Sequence, residues 1–461
     1  MYTPPNFERE SYNNRPPEGI ERKGRYKTRD RISAIDDAHA NVAEYAHHLR
    51  IVLAEQDDLL QFEKICHIAQ CEPRPVRISG VEAQAAQFFC QRDLFHVQRW
   101  IKTMEWKNAF QIEAYLRGGL LNTRDLLDTL QKPIEDAIEY YGADASEFLR
   151  LFYVDLKARK MDKDPKTCLE EMRERHKTIK PLRLAPSHIS CHHVTITPSK
   201  ILLEGPYTTQ SNRVIRKYQN LDPALAEHFV RVEFRDEDRL SYRWDGDVDG
   251  TWFLQERIGK ILRHGFEIGG RSFEFLAYSQ SALRSHSVWF VSPFRDNNGK
   301  FVTAEHIRSS LGDFSKLLRT PSKYAARIAQ AFTATDRGVK IRRDQWEEQP
   351  DIGPEKKEFT DGVGTISPEL AKMIWDELRA GRKFGGKRVQ ASAYQFRFLG
   401  YKGVVVVDSR LKGIKMRLRP SQRKFPVHDV EEAEIEIAQT FDYPNAVHLN
   451  RFVAASSSGK Y

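Results

Sequence analysis

Gln395-Phe396-Arg397-Phe398 is followed by Gly400-Tyr401-Lys402-Gly403, by Val404-Val405-Val406-Val407, and then by Arg410 to Lys424, fifteen residues with seven bases and no acid. The first four alternate like a half-buried strand, with apolar groups on one side only. Gly400 to Gly403 reads as a turn, and the four valines as a strand covered on both faces. Within the basic run, Lys415, Arg417 and Arg419 alternate with Ile414, Met416 and Leu418. On a strand, that places three cations on one face above an apolar underside. Seven like charges repel one another, whereas a sheet edge needs only one or two to stay soluble. A surface for polyphosphate accounts for them: guanidinium groups grip phosphate oxygens bidentately, and lysine supplies a compact charge. A charged, solvated strand edge is the alternative.

Working outward, Ser367-Pro368-Glu369 starts a helix that runs to Gly381, and Thr320-Pro321 starts another carrying Ala325, Ile328, Ala329 and Phe332. Phe266 to Ile268 and Phe273 to Phe275 flank Gly269-Gly270, the signature of a hairpin with positive φ at its tip. Val194 to Thr197 and Val230 to Phe234 read as strands. Before Pro181 the pattern changes to helix. Apolar groups recur at three- and four-residue steps over 81–116, ending at Gly118-Gly119. Asn122 or Thr123 caps a further helix, Pro133 opens another, and Phe148, Leu149, Phe152 and Leu156 mark one more. This aromatic stripe suits core packing first and base stacking only second.

The fold class is therefore α+β. A disordered lead-in (1–35) precedes a helical domain (36–185), a mixed α/β region (186–358) and a C-terminal part (359–461) built around the basic strand. Lys+Arg number 73 against 64 Asp+Glu, for a net charge of +9 and a pI near 9.1, which favours an anionic partner. No apolar run approaches the ~20 residues of a membrane helix. Five cysteines (Cys66, Cys71, Cys90, Cys168, Cys191) are too few and too odd for a disulfide framework, so a reducing, intracellular compartment is expected, cytoplasmic or nuclear.

Three ordered segments near the C-terminus carry a resemblance. They are Phe359-Thr360-Asp361-Gly362-Val363-Gly364-Thr365-Ile366-Ser367, Gly400-Tyr401-Lys402-Gly403-Val404-Val405, and Arg417-Leu418-Arg419-Pro420-Ser421-Gln422-Arg423-Lys424-Phe425. Upstream stand Gly205-Pro206 with Ser211-Asn212-Arg213-Val214, then Arg231-Val232-Glu233-Phe234, then Phe273 to Ser279 with Leu283-Arg284 and Trp289-Phe290. Together these resemble the RNA-silencing RNA-dependent RNA polymerases, the fungal branch most closely, over roughly residues 188–425.

The resemblance implies an active site between two double-psi β-barrels. One presents cations to phosphates, and the other holds magnesium on an Asp-x-Asp-Gly-Asp loop. Residues 359–425 match part of the cationic barrel. By position, Lys402 and Lys424 are its two active-site lysines, with Lys415, Arg417, Arg419 and Arg423 as RNA- and nucleotide-binding residues; a Lys402 that merely closes a turn is the bland alternative. The implied partners are a single-stranded RNA template, nucleoside triphosphates and silencing-pathway proteins, with no membrane. Nucleotidyl transfer would then be an in-line displacement by a 3′ hydroxyl.

No Asp-x-Asp-Gly-Asp string occurs in the 461 residues. The chain is thus expected to represent the front part of such an enzyme, incomplete after the first barrel, binding no magnesium itself and inactive alone. A non-catalytic RNA-binding protein derived from the family is the alternative. Asp245-Gly246-Asp247-Val248-Asp249 carries its glycine in other places and precedes the basic segment, so it does not replace the loop. Asp245 to Glu256 also fits a twelve-residue calcium loop, but Trp252 occupies a position for a small aliphatic. Cys191-His192-His193, and Cys66-His67 with Cys71, lack zinc spacing.

Overall fold

A computed structural model describes residues 91–158, 164–179, 184–185, 187–242, 250–354, 357–381, 389–427 and 430–441. The expected lead-in at 1–35, the beginning of the helical region (36–90), Asp245, Asp247, Asp249, Cys66, Cys71, Cys90 and the tail from 442 lie outside these residues.

The helical layer comprises α1 (Gln91–Ile101), α2 (Trp106–Arg117), α3 (Gln131–Tyr141), α4 (Ala145–Ala158) and α5 (Pro165–Arg175). The periodic stretch expected as one helix is two, broken at 102–105, where the Thr103 hydroxyl donates to the Trp100 carbonyl at 2.7 Å and competes with the helical ladder. Asn122 Oδ1 accepts from the Arg124 and Asp125 amides, as a capping residue should. The aromatic stripe is core: Phe148, Leu149, Phe152 and Leu156 pack with Val97, Ile112 and Tyr115.

Strands β1 (His188–Ile196), β2 (Ile201–Gln210) and β3 (Phe229–Phe234) are followed by β4 (Phe266–Ile268), β5 (Arg271–Ala277) and β6 (Ser287–Val291). They form a six-stranded sheet in the order β2-β1-β3-β6-β5-β4, with β1 and β3 parallel. Gly269 and Gly270 close the β4–β5 hairpin at φ 56° and 76°, as their sequence demands. Trp106, Phe110 and Ala114 of α2 pack on one face of this sheet. The contact is fixed by a buried Arg117–Glu113 pair at 2.7 Å, whose Glu113 Oε2 also accepts the Gly269 amide at 2.6 Å.

The opposite face is covered by α6 (Arg213–Leu221), α9 (Ala304–Ser309) and α10 (Pro321–Ala331). Two short helices, α7 (Gly259–His264) and α8 (Gln280–Arg284), and a small pair, β7 (Phe294–Arg295) and β8 (Phe301–Val302), lie between these elements in the chain.

The second sheet contains β9 (Asp336–Arg342), β10 (Trp346–Glu348), β11 (Val363–Ile366), β12 (Ala393–Phe398), β13 (Tyr401–Val407), β14 (Met416–Leu418) and β15 (Glu432–Phe441). Their order is β10-β14-β11-β13-β12-β15-β9, with β10/β14 and β11/β13 parallel and the remaining neighbours antiparallel. Helix α11 (Pro368–Gly381), capped by Ser367 Oγ on the Leu370 amide, covers one face through Leu370, Ala371, Ile374 and Leu378.

Two local expectations change here. The tight turn is Leu399-Gly400, with Phe398 opposite Tyr401, so Lys402 and Gly403 lie within β13 rather than in the turn. The valine run is also only half covered: Val405 is fully buried, whereas Val406 is 37% exposed on the face away from α11. Central placement in a sheet buries a strand's backbone edges but only one of its faces when a single layer covers the sheet.

Candidate phosphate-binding site

The three C-terminal segments are distant in sequence and meet at one crossing. Gln422, fully buried, holds them together: Nε2 donates to the carbonyls of Gly362 (3.2 Å) and Val404 (3.0 Å), and Oε1 accepts the Arg419 amide at 2.9 Å. Beside it, Ser421 Oγ accepts the Gly362 amide at 3.0 Å and donates to Asp351 at 2.8 Å. The backbones approach so closely that a Cβ at Gly403 would lie 2.3 Å from the Gly362 carbonyl, and one at Gly400 would lie 2.0 Å from that of Phe425. These glycines are required by the crossing itself.

The crossing places charge. Lys402 stands opposite Arg397 across β13 and β12, and Lys424 approaches the same place, its backbone amide donating to the Gly400 carbonyl at 2.9 Å. Lys402 is partly buried, and its ammonium is pushed below the ordinary lysine range, first by burial and then by Arg397, Arg327 and Lys424. Four cations therefore converge, contributed by β12, β13, α10 and the segment after β14. The Lys424 ammonium donates to the Ser421 carbonyl.

Arg397 is itself depressed by burial, against the pull of Glu436 and with Arg213 adding to the depression. Among the described residues its Nε has no hydrogen-bond partner, nor does that of Arg327. Glu436, opposite Arg397 on β15, is the buried counter-charge. Arg216 of α6 reaches to 3.5 Å from it and also donates to Thr335 Oγ1 at 2.7 Å. Arg213 donates to the carbonyl of Leu399 at 3.1 Å, bracing a bulky residue held at φ 49°. A left-handed conformation costs an L-residue roughly 1–2 kcal/mol, so the brace has a load to carry.

The other expected phosphate residues are placed differently. Met416 and Leu418 are fully buried, as the alternation requires, but the three cations turn to the 344–350 segment. Lys415 Nζ donates to the Asp344 carbonyl (3.1 Å), Arg417 Nε to Glu347 (2.7 Å), and Arg419 to the Pro350 carbonyl. Arg423 lies 3.5 Å from Glu348, which also accepts the Tyr401 hydroxyl at 2.7 Å. The structure thus brings Lys402 and Lys424 together and sets Lys415, Arg417, Arg419 and Arg423 along a partnered edge. Arg397, Arg327 and Arg213 were missed. Arg397 had a signal, because a two-residue turn at Leu399-Gly400 sets it opposite Lys402. The other two come from helices far away in sequence.

Among the described residues, no group of three or more His, Cys, Asp and Glu is placed to hold a metal ion. A cluster of lysines and arginines repels a divalent cation, so the site's own residues do not fit magnesium. No described helix is long and apolar enough to cross a membrane.

A family model for RNA dependent RNA polymerase matches residues 196–455. The chain belongs to that family. It is 37% identical to RNA-dependent RNA polymerase 1 of Arabidopsis thaliana over 269 residues, which cover 56% of this chain and 22% of that one. It is 30% identical to RNA-dependent RNA polymerase 1 of Schizosaccharomyces pombe over 362 residues, 76% of this chain and 27% of the other. The chain therefore spans about a quarter of the length of these curated relatives. Among solved structures, the RNA dependent RNA polymerase QDE-1 from Thielavia terrestris aligns over 74% of this chain and 37% of its own, with a TM-score of 0.47 and 16% identity.

Proposed function

We propose that this chain supplies the phosphate-facing side of an RNA-directed RNA polymerase active site of the silencing type, working on single-stranded RNA and nucleoside triphosphates. The observation that carries this reading is the convergence of Lys402, Lys424, Arg397 and Arg327 at the Gln422 crossing. Lys402 and Lys424 grip the polyphosphate of the incoming nucleotide, and Arg397 and Arg327 hold their charge against it. Cations fixed in a partly desolvated site neutralise charge on a departing pyrophosphate without reorganising during the reaction. The parallel pair β11/β13 within a mixed sheet supports a double-psi barrel for residues 359–425, and the parallel pair β10/β14 joins that segment to residues 346–348 upstream of it.

Magnesium has no fitting ligands among the described residues, and no Asp-x-Asp-Gly-Asp string occurs in the sequence. On this reading the chain binds but does not polymerise until an acidic loop is supplied. The fission yeast alignment, reaching 76% of the chain, supports the fungal branch.

The test is binding of UTP and of single-stranded RNA to the wild type, Lys402→Met and Lys424→Met, over a range of salt. Both ligands should weaken in each variant, and RNA affinity should fall with added salt. Affinity indifferent to salt and to both substitutions overturns the reading. Primer-independent incorporation by the chain alone should be nil, and robust synthesis would sink the claim that the acidic side is missing.

A further inference from the structure

The C-terminal crossing leaves several upstream segments without a role, and these converge elsewhere. Asn212, Arg231, Ser279 and Trp289 come from three of them, and all four line one cleft of about 220 Å³, with Ser281 at its rim and Phe332 beside them. Trp289 and Phe332 are buried, whereas Ser281 is exposed. The lining contains one cation and no acid. Its other polar groups are hydroxyls and amides, which can donate to an anionic oxygen, and the arginine disfavours a cation.

Arg231 is anchored from behind. Its Nε donates to buried Ser287 Oγ at 2.7 Å, and Glu233 lies 3.6 Å away, itself engaged by Arg235 at 2.6 Å. Neither Nη group of Arg231 makes a hydrogen bond among the described residues. Glu233 does not line the cleft, so the cavity keeps a positive balance. Asn212 is occupied in capping α6, accepting the Ile215 amide at 3.1 Å. The next residue, Arg213, donates to the Leu399 carbonyl at the edge of the cationic cluster. Cleft and cluster therefore flank the start of α6.

We propose that the Arg231 cleft is a second phosphate-binding subsite, taking a backbone phosphodiester of the same single-stranded RNA whose reacting end lies at the Lys402–Lys424 cluster. This rests on the polymerase reading above for the identity of the strand. Arg231 grips the phosphate oxygens, and the Ser281 hydroxyl at the rim adds a donor. The neutral, partly apolar wall accepts ribose. One chain crossing both sites is then fixed in register by two separate grips.

The test measures UTP and a short single-stranded oligoribonucleotide on the full chain with Arg231→Met, Ser281→Asp, Lys402→Met and Lys424→Met. Ser281→Asp guards against a folding artefact, because the residue is exposed and an acid in the first turn of α8 suits the helix. Arg231→Met and Ser281→Asp should each weaken the oligonucleotide about tenfold and leave UTP unchanged. Arg231→Met should also reduce the magnitude of the RNA salt slope by about 0.7. Unchanged oligonucleotide affinity in both cleft variants overturns the proposal even when the lysine variants weaken it. Equal loss of UTP in the cleft variants also overturns it, making the cleft a mononucleotide site. If only the lysine variants are silent, the polymerase reading fails, and the cleft remains a phosphodiester site on its own data.

Discussion

Lys402 faces Arg397 directly across the β12–β13 pair, two cations side by side with Glu436 on the next strand as the nearest buried acid. Like charges placed opposite each other destabilise a sheet, so the pair persists at a cost that a bound anion would relieve.

That cost gives the first prediction. Burial and three cationic neighbours hold the folded-state pKa of Lys402 below its unfolded value, so the unfolded chain binds more protons between the two. The penalty is complete below the folded pKa and disappears as pH rises towards the ordinary lysine value. Lys402→Met should therefore raise Tm at neutral pH, with the gain shrinking in alkaline buffer, while weakening UTP. A thermal melt series from pH 7 to pH 10 checks it; a Tm loss at pH 7 contradicts it.

The second concerns Gln422. Gln422→Ala removes one of the two hydrogen bonds on the Gly362 carbonyl, which keeps the Val404 amide, removes the side-chain bond to the Val404 carbonyl, and takes from the Arg419 amide its acceptor in a buried crossing. A buried group left unsatisfied costs about 1–3 kcal/mol, so a loss of about that size is expected in urea unfolding. UTP binding should fall with it, because the same side chain sets the approach of the Lys402 and Lys424 segments.

Part of this crossing is legible in the sequence itself. The alternation in Gln395–Phe398 places Phe396 and Phe398 in the core, and both are fully buried. The family resemblance singles out Lys402 and Lys424 as a pair, and the Lys424 amide bonds to Gly400 two residues before Lys402. What sequence could not supply was the partner of each charge. Arg417 looks free in a run without acids, yet Glu347 sits beside it through the parallel register of β10 with β14. Arg327 and Arg213 lie on helices whose local pattern speaks only of their own apolar faces. Charge pairing across long sequence separations is set by topology, which periodicity does not encode.

A third prediction tests the buried counter-charge. Glu436→Gln leaves Arg216, 3% exposed, without its ion pair. Removing one partner of a buried pair costs about 3–5 kcal/mol, so the urea midpoint should drop sharply. Inorganic phosphate in the buffer should recover more stability in this variant than in the wild type; no difference between them would argue that the seam is closed to anions.

The fourth uses the edge cations as a control. Arg417→Ala removes an exposed ion pair with Glu347, worth about 0–1 kcal/mol. It should change neither stability nor UTP binding appreciably. A loss of UTP as large as that of Lys402→Met would return the basic strand itself to the centre of the site.

Lys424 has a neighbour whose position matters more than its chemistry. Phe425 is buried not with the second sheet but in the core beneath the first, with its ring 4.9 Å from that of Phe314. Consecutive residues thus serve two cores: Lys424 hydrogen-bonds to the second sheet at Gly400, and the Phe425 ring is rooted beneath the first. With Lys424 tied to the Gly400 carbonyl at 2.9 Å, the Phe425 ring acts as a peg that pins this corner of the second sheet into the core beneath the first.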